Sequence, residues 1–234
     1  MLLSQQLVGY ILIFLFTLEL FCLFFFSNLL SSSITKLFYH LTGSKHATIS
    51  LLALLFLPGT IIHELAHVLS AGVLLVHYGD IEFMPEIRED GVKLGSAEIG
   101  RTDPIRRALI GIAPVLAGVL IILGSLFLLT FWWDQGNSIP FWAALVLIYI
   151  LFVVGNTMFS SKKDMEGTVE VLIVLACFFV AMYLLKFYQV FEFLAGLLTA
   201  GVVDFMKRAN LFLLVPIIID LLIFGLVKIV FPKR

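Results

Sequence analysis

Leu57-Pro58-Gly59-Thr60-Ile61-Ile62-His63-Glu64-Leu65-Ala66-His67-Val68-Leu69 is the stretch that decides the fold. It lies inside an apolar run from Ile49 to Val76. About 20 mainly apolar residues suffice for a helix to cross the hydrocarbon core of a bilayer. Apart from Glu64, the run holds no carboxylate, lysine or arginine. Ionisable side chains at that depth are costly, and they mark chemistry by default. On a helix, positions four apart share a face, so the imidazoles of His63 and His67 converge on one point. Glu64 stands one residue round from His63, in reach of a water there without ligating the ion itself. The pattern H-E-x-x-H therefore predicts a zinc site with Glu64 as general base.

Composition extends the membrane reading to the whole chain. Of 234 residues, 61% are hydrophobic and 13% charged, and the mean hydropathy is +1.10. A soluble domain is nearer half apolar and a quarter charged, so most of this surface is expected to face lipid. The net charge of -1 gives no basis for a nucleic-acid partner. Cys22 and Cys177 fall in apolar stretches and read as packing residues, neither a disulfide framework nor a thiolate metal site. Met1 to Gln6 lacks Lys and Arg, and the apolar run after it is too long for a signal-peptide core. It reads as a retained membrane helix. With no large polar segment, residues 1–234 form a single membrane domain.

Six spans are expected: Leu7 to Leu30, Ile49 to Val76, Ile105 to Trp133, Ile139 to Phe159, Thr168 to Leu185, and Leu211 to Phe231. The stretch from Val190 to Phe205 is apolar but short and carries Glu192 and Asp204, so it reads as an interfacial or re-entrant helix or as a seventh span, with six the favoured count. The excess of Lys and Arg in alternate loops puts both termini in the cytoplasm. Between the second and third spans, residues 79–102 alternate apolar and polar, and Asp90-Gly91 signals a tight turn. A β-hairpin against the cytoplasmic face is expected, with Pro85 making its strand an edge or a bulge. An extended substrate peptide can pair with an open strand edge of that kind. Pro58-Gly59 is expected to break the second span and leave Thr60 as a cap. Glu19 and Asp220, in the first and last spans, each call for a polar partner or a wet cavity.

Zinc requires a third protein ligand and an open fourth position. Ser70 and Val73 replace the Gly and His that a metzincin would carry. Glu86 is a rival ligand in the hairpin. The better candidate is Asp164, because the second and fourth spans run in the same direction and bring their later parts toward one face.

His63-Glu64-Leu65-Ala66-His67, the β-rich insert, and Asn156 and Asp164 eight residues apart together resemble the site-2 protease family of intramembrane zinc metalloproteases. Gly111-Ile112-Ala113-Pro114-Val115-Leu116-Ala117-Gly118 is similar to the small-residue, proline-containing stretch in the middle helix of that family's three-helix core. The resemblance covers Pro58 to Gly167 and implies a catalytic core over about residues 49–167. It also implies Asp164 as third zinc ligand and Asn156 as a residue steadying substrate or oxyanion. Phe159 and Met165 depart from the family's proline and glycine. The expectation is an all-α polytopic membrane protein with a small β insert, acting as a zinc-dependent endopeptidase on transmembrane or membrane-associated protein substrates. Two alternatives stand beside it. One is a non-catalytic metal-binding scaffold. The other is a membrane metalloprotease of the prenyl-protein type, with Glu166 or Glu170 as third ligand.

Overall fold

The computed structural model describes residues 2–84, 86–88, 91–93, 95–136, 138–159 and 168–230. The chain is mostly helical, with a small β element between its second and third helices. Helix α1 spans Leu2–Thr42 and α2 Lys45–Val73. Gly43 takes a positive φ of 64° at the tight turn between them, where a side chain would be strained. Ser44 caps α2, its hydroxyl accepting from the Ala47 N–H at 3.4 Å. Pro58 does not break α2 as the sequence suggested. The helix runs on, and the Thr60 hydroxyl donates back to the Phe56 carbonyl at 3.1 Å rather than capping a new start. Tyr149 takes up the neighbouring Leu55 carbonyl, donating at 2.9 Å. Neighbouring helices and hydroxyls commonly re-satisfy backbone groups at such sites in membrane helices.

Helix α3 spans Pro104–Asp134, α4 Phe141–Thr157, α5 Thr168–Leu184, α6 Tyr188–Gly196 and α7 Ala200–Val230. Four of them, α1, α2, α3 and α7, are long and apolar enough to cross a membrane. The expected fourth span, α4, has 17 residues. The expected fifth continues from α5 into α6 through a bend of 117°. Residues 190–205 do not form one segment. The first part belongs to α6, and the rest opens α7, where the Thr199 hydroxyl accepts from the Val202 N–H at 3.4 Å. Asp204, which interrupts the apolar pattern there, pairs with Lys207 at 3.0 Å on the exposed face of α7. Cys22 is half-buried and Cys177 is exposed, so among the described residues only the first of the two thiols has a packing role.

Helix directions follow from the side chains that meet. Gln5 donates to the Leu198 carbonyl and Asn210 to the Leu12 carbonyl. Ile219 and Ile223 pack on the cluster of Leu30 and Ile34. Low numbers thus meet low numbers, and α1 runs parallel to α7. The same reasoning makes α2 and α4 parallel, as expected: Leu55 meets Tyr149, Phe56 meets Phe152, and Gly59 meets Val153 and Thr157. The second half of α4 is the centre of the molecule, with Leu151 to Met158 all buried. Glycine admits its neighbours closely. A Cβ on Gly59 would strike Thr157 Oγ1 and lie 2.6 Å from Val153 Cγ1, and one on Gly118 would lie 2.7 Å from Met158 Sδ. Small residues at such crossings are how membrane helices pack without a hydrophobic driving force.

The β element is a hairpin in two sections. Strands β1 (Tyr78–Glu82) and β4 (Ser96–Ile99) pair antiparallel, with an irregularity between Tyr78 and Ile81. Further out, β2 (Glu86–Arg88) pairs antiparallel with β3 (Gly91–Lys93). Pro85 and Asp90 lie outside the described residues. Gly91 is not in the turn as expected, because it pairs with Arg88 as the first residue of β3. The hairpin packs along α2. Gly95 is buried against Thr60 and Glu64, whereas α2 ends at Val73. Thirteen helical residues separate Thr60 from that end, so the hairpin folds back about 20 Å along α2.

Candidate metal centre

His63, Glu64 and His67 are 3%, 3% and 6% exposed, so all three are withdrawn from lipid and water alike. They sit on the stretch of α2 that faces α3, α4 and the hairpin. The Nε2 atoms of His63 and His67 are 3.2 Å apart, and one ligand atom from each of the three residues falls within 4.8 Å of the others. Two imidazole nitrogens bound to one zinc at ~2.0–2.1 Å and a tetrahedral angle stand roughly 3.3 Å apart. The donor set and its spacing therefore fit a metal ion. The rings meet edge to face, with an interplanar angle of 85°, so two nitrogens share one point without the rings colliding.

An outer hydrogen bond aims one of these ligands. His67 Nδ1 lies 2.9 Å from the backbone carbonyl of Ile110 in α3. A carbonyl only accepts, so Nδ1 carries the proton and Nε2 carries the lone pair that a metal ion would take. Metal-binding histidines usually donate their second nitrogen in this way. Facing the cluster on the other side is Gly95. A Cβ at that position would lie 2.9 Å from Glu64 Oε1 and 2.6 Å from the Thr60 methyl. Only glycine lets the return strand approach the carboxylate so closely.

The remaining candidates divide. Asn156 is 2% exposed at the end of α4 and Asp220 1% exposed in α7. Asn156 Nδ2 donates to Asp220 Oδ1 at 2.7 Å and to the Phe152 carbonyl at 2.9 Å. Both amide hydrogens are thereby engaged, which leaves Asn156 an acceptor oxygen but no donor for an oxyanion. Asp220 has the polar partner that its depth demanded. Glu19 Oε2 has none among the described residues. Glu86 sits in β2 opposite Lys93, and Glu170 lies in α5. Asp164 and Glu166 lie outside the described residues. Helix α4, which precedes Asp164 in the chain, ends at Thr157 beside Gly59, one helical turn before His63.

Ile110 and Gly95 escaped the sequence reading. A backbone acceptor has no side-chain signature, and a lone glycine between two short strands looks like ordinary punctuation. Away from the cluster, Asp103 caps α3 by accepting from the N–H groups of Ile105 and Arg106 at 3.1 and 3.0 Å. The Arg106 N–H above all holds its carboxyl below the ordinary value. No family model, curated protein or solved structure matches the chain.

Proposed function

We propose that the protein is a zinc-dependent endopeptidase that cuts peptide bonds within or beside the membrane, built on the plan of the site-2 proteases. The observation that carries this reading is the pair of buried imidazole nitrogens 3.2 Å apart with a buried glutamate between them in sequence, on a helix long and apolar enough to span. His63 and His67 hold the ion, and Asp164 is its third protein ligand. The end of α4 beside Gly59 supports that choice, since the seven residues from Thr157 to Asp164 reach at most ~23–25 Å when extended. Zinc, when bound, supplies Lewis acidity to water and to the scissile carbonyl. Glu64 takes the proton from the attacking water and passes it to the leaving amine. The hairpin sets Gly95 against the Glu64 carboxylate, so a substrate strand laid along the β1–β4 pair presents its backbone to the base. Such pairing replaces the hydrogen bonds that a transmembrane substrate gives up when it unwinds.

The same reading includes five crossings rather than six. The parallel course of α1 and α7 supports an odd number, with α4 crossing between α3 and the α5–α6 pair. Helix α6 has nine residues and rises about 13.5 Å, less than half the ~30 Å core. The bent pair therefore enters and leaves by one face, and the two termini lie on opposite sides. Among the described residues, Arg101, Arg106, Arg107, Lys207 and Arg208 then share the face where the chain begins, against Lys36, Lys45 and Lys228 on the other, with Arg88 and Lys93 in the outer section of the folded-back hairpin and Lys186 at the bend between α5 and α6. Five against three keeps the N-terminus cytoplasmic.

Glu64→Gln tests the function. It preserves size and hydrogen bonding but removes the base, so zinc content should stay at the wild-type level while cleavage of a membrane substrate is abolished. Undiminished cleavage by that variant would refute the mechanism.

A further inference from the structure

We infer that Pro114 is a positioning residue for His67, acting through the backbone of α3. In an α-helix the carbonyl of one residue accepts from the N–H four residues later. For Ile110 that later residue is Pro114, inside α3, which has no N–H to give. Its ring also crowds the carbonyl four residues back and tilts it away from the helix axis. The freed carbonyl belongs to Ile110, itself 3% exposed, so it needs a partner from within the protein. His67 Nδ1 reaches it at 2.9 Å.

The consequence runs from proline to metal. The bond to the freed carbonyl places the imidazole proton on Nδ1 and leaves the Nε2 lone pair 3.2 Å from His63 Nε2. The same contact fixes the ring's rotation about its side-chain bonds, and Ile110 is itself buried against Ala71, one turn beyond His67. Alanine at 114 would restore an N–H that competes for the carbonyl. His67 would then lose both its tautomer preference and its aim. Of the other in-helix prolines, Pro58 lies on α2 itself, and Pro216, in α7, packs against Gly155.

The inference rests on the zinc reading for its effect on affinity, but not for its effect on the tautomer. The test is made on the full chain in detergent micelles, with ¹⁵N spectra of the histidine rings in metal-free protein and zinc affinity by chelator competition. Wild type should show His67 protonated at Nδ1. In Pro114→Ala the ring should shift toward the Nε2-protonated form, and zinc affinity should fall on the order of 10- to 100-fold, the usual effect of losing an outer-shell partner. Pro216→Ala, the same backbone change in another helix, should leave both readouts at wild-type values. Wild-type His67 protonated at Nε2 overturns the inference without any variant. Unchanged tautomer and affinity in folded Pro114→Ala overturn it while the zinc reading stands. A tautomer shift in a protein that binds no zinc keeps the proline link and removes the metal reading instead.

Discussion

Two buried polar groups in this molecule are built in different ways. In the pair Asn156–Asp220, a donor meets an acceptor across α4 and α7 at 2.7 Å. In the cluster of α2, two imidazole nitrogens face each other at 3.2 Å, in a contact whose donor and acceptor depend on the ring tautomers, with a carboxylate beside them. The first arrangement is complementary and ties two helices together. The second brings three potential metal ligands within 4.8 Å of one another, a group that could hold a cation. Burial alone does not distinguish structure from chemistry, because both groups are almost fully buried. The set of side chains that converge does, an amide and a carboxyl in one and three potential metal ligands in the other.

That comparison can be broken by variants with crossed effects. His67→Ala should lose zinc altogether, since it removes a ligand, with a loss of stability from the Ile110 carbonyl it strands. Asp220→Ala leaves the metal ligands untouched. It strands the Asn156 amide and should lower stability by about 1–3 kcal/mol, read by thermal unfolding in detergent, while zinc stays bound. Asp220→Asn keeps an acceptor for Asn156 and should recover most of that loss. If Asp220→Ala releases zinc as readily as His67→Ala, the two groups form one site and the distinction fails.

Gly95→Ala sharpens the chemical half. The added methyl would meet Glu64 Oε1 at 2.9 Å and the Thr60 methyl at 2.6 Å, so the hairpin must lift or the carboxylate must turn. Overpacking of this kind costs about 1–3 kcal/mol. Turnover should fall severalfold with zinc content unchanged, measured on the same preparation. Full activity would place the hairpin outside the catalytic geometry.

The smallest expected effect lies at the start of α3. The Asp103 carboxyl is held below its ordinary value, so its contribution to stability is complete above the unfolded pKa of about 3.9. That contribution is lost as pH falls through the lower folded value. Asp103→Asn keeps a good helix cap and removes the charge. The gap in unfolding temperature between it and wild type should be present at neutral pH and close in acid. A gap that widens on acidification would reverse the assignment.

The legible parts of the chain were those where pattern is local. His63, Glu64 and His67 share a site because helical spacing alone puts them there, and α2 and α3 begin and end near the boundaries that their apolar runs suggest. The course of the chain after Thr157 was not legible. Continuous apolar sequence from Thr168 to Leu185 says nothing of a bend at its end, and Val190 to Phe205 read as one segment where the chain makes two. Charge did not help, because the cytoplasmic excess of Lys and Arg supports six crossings with both termini inside as well as five with the termini apart. Alternation announced the strands of the hairpin but not their depth. That depth depends on the missing side chain of Gly95, which matters only once Thr60 and Glu64 are known to face it. The carbonyl of Ile110 was hidden for a similar reason, since its availability is written four residues later, at Pro114.

Elemental analysis of the purified protein tests the central claim most directly. The account predicts about one zinc per wild-type chain, as a site with two histidines and one carboxylate requires. In the His63→Ala, His67→Ala double variant it predicts none, with the protein still folded. Full zinc in the double variant, or a wild-type chain that holds no metal after purification without chelators and dialysis against zinc, would contradict it.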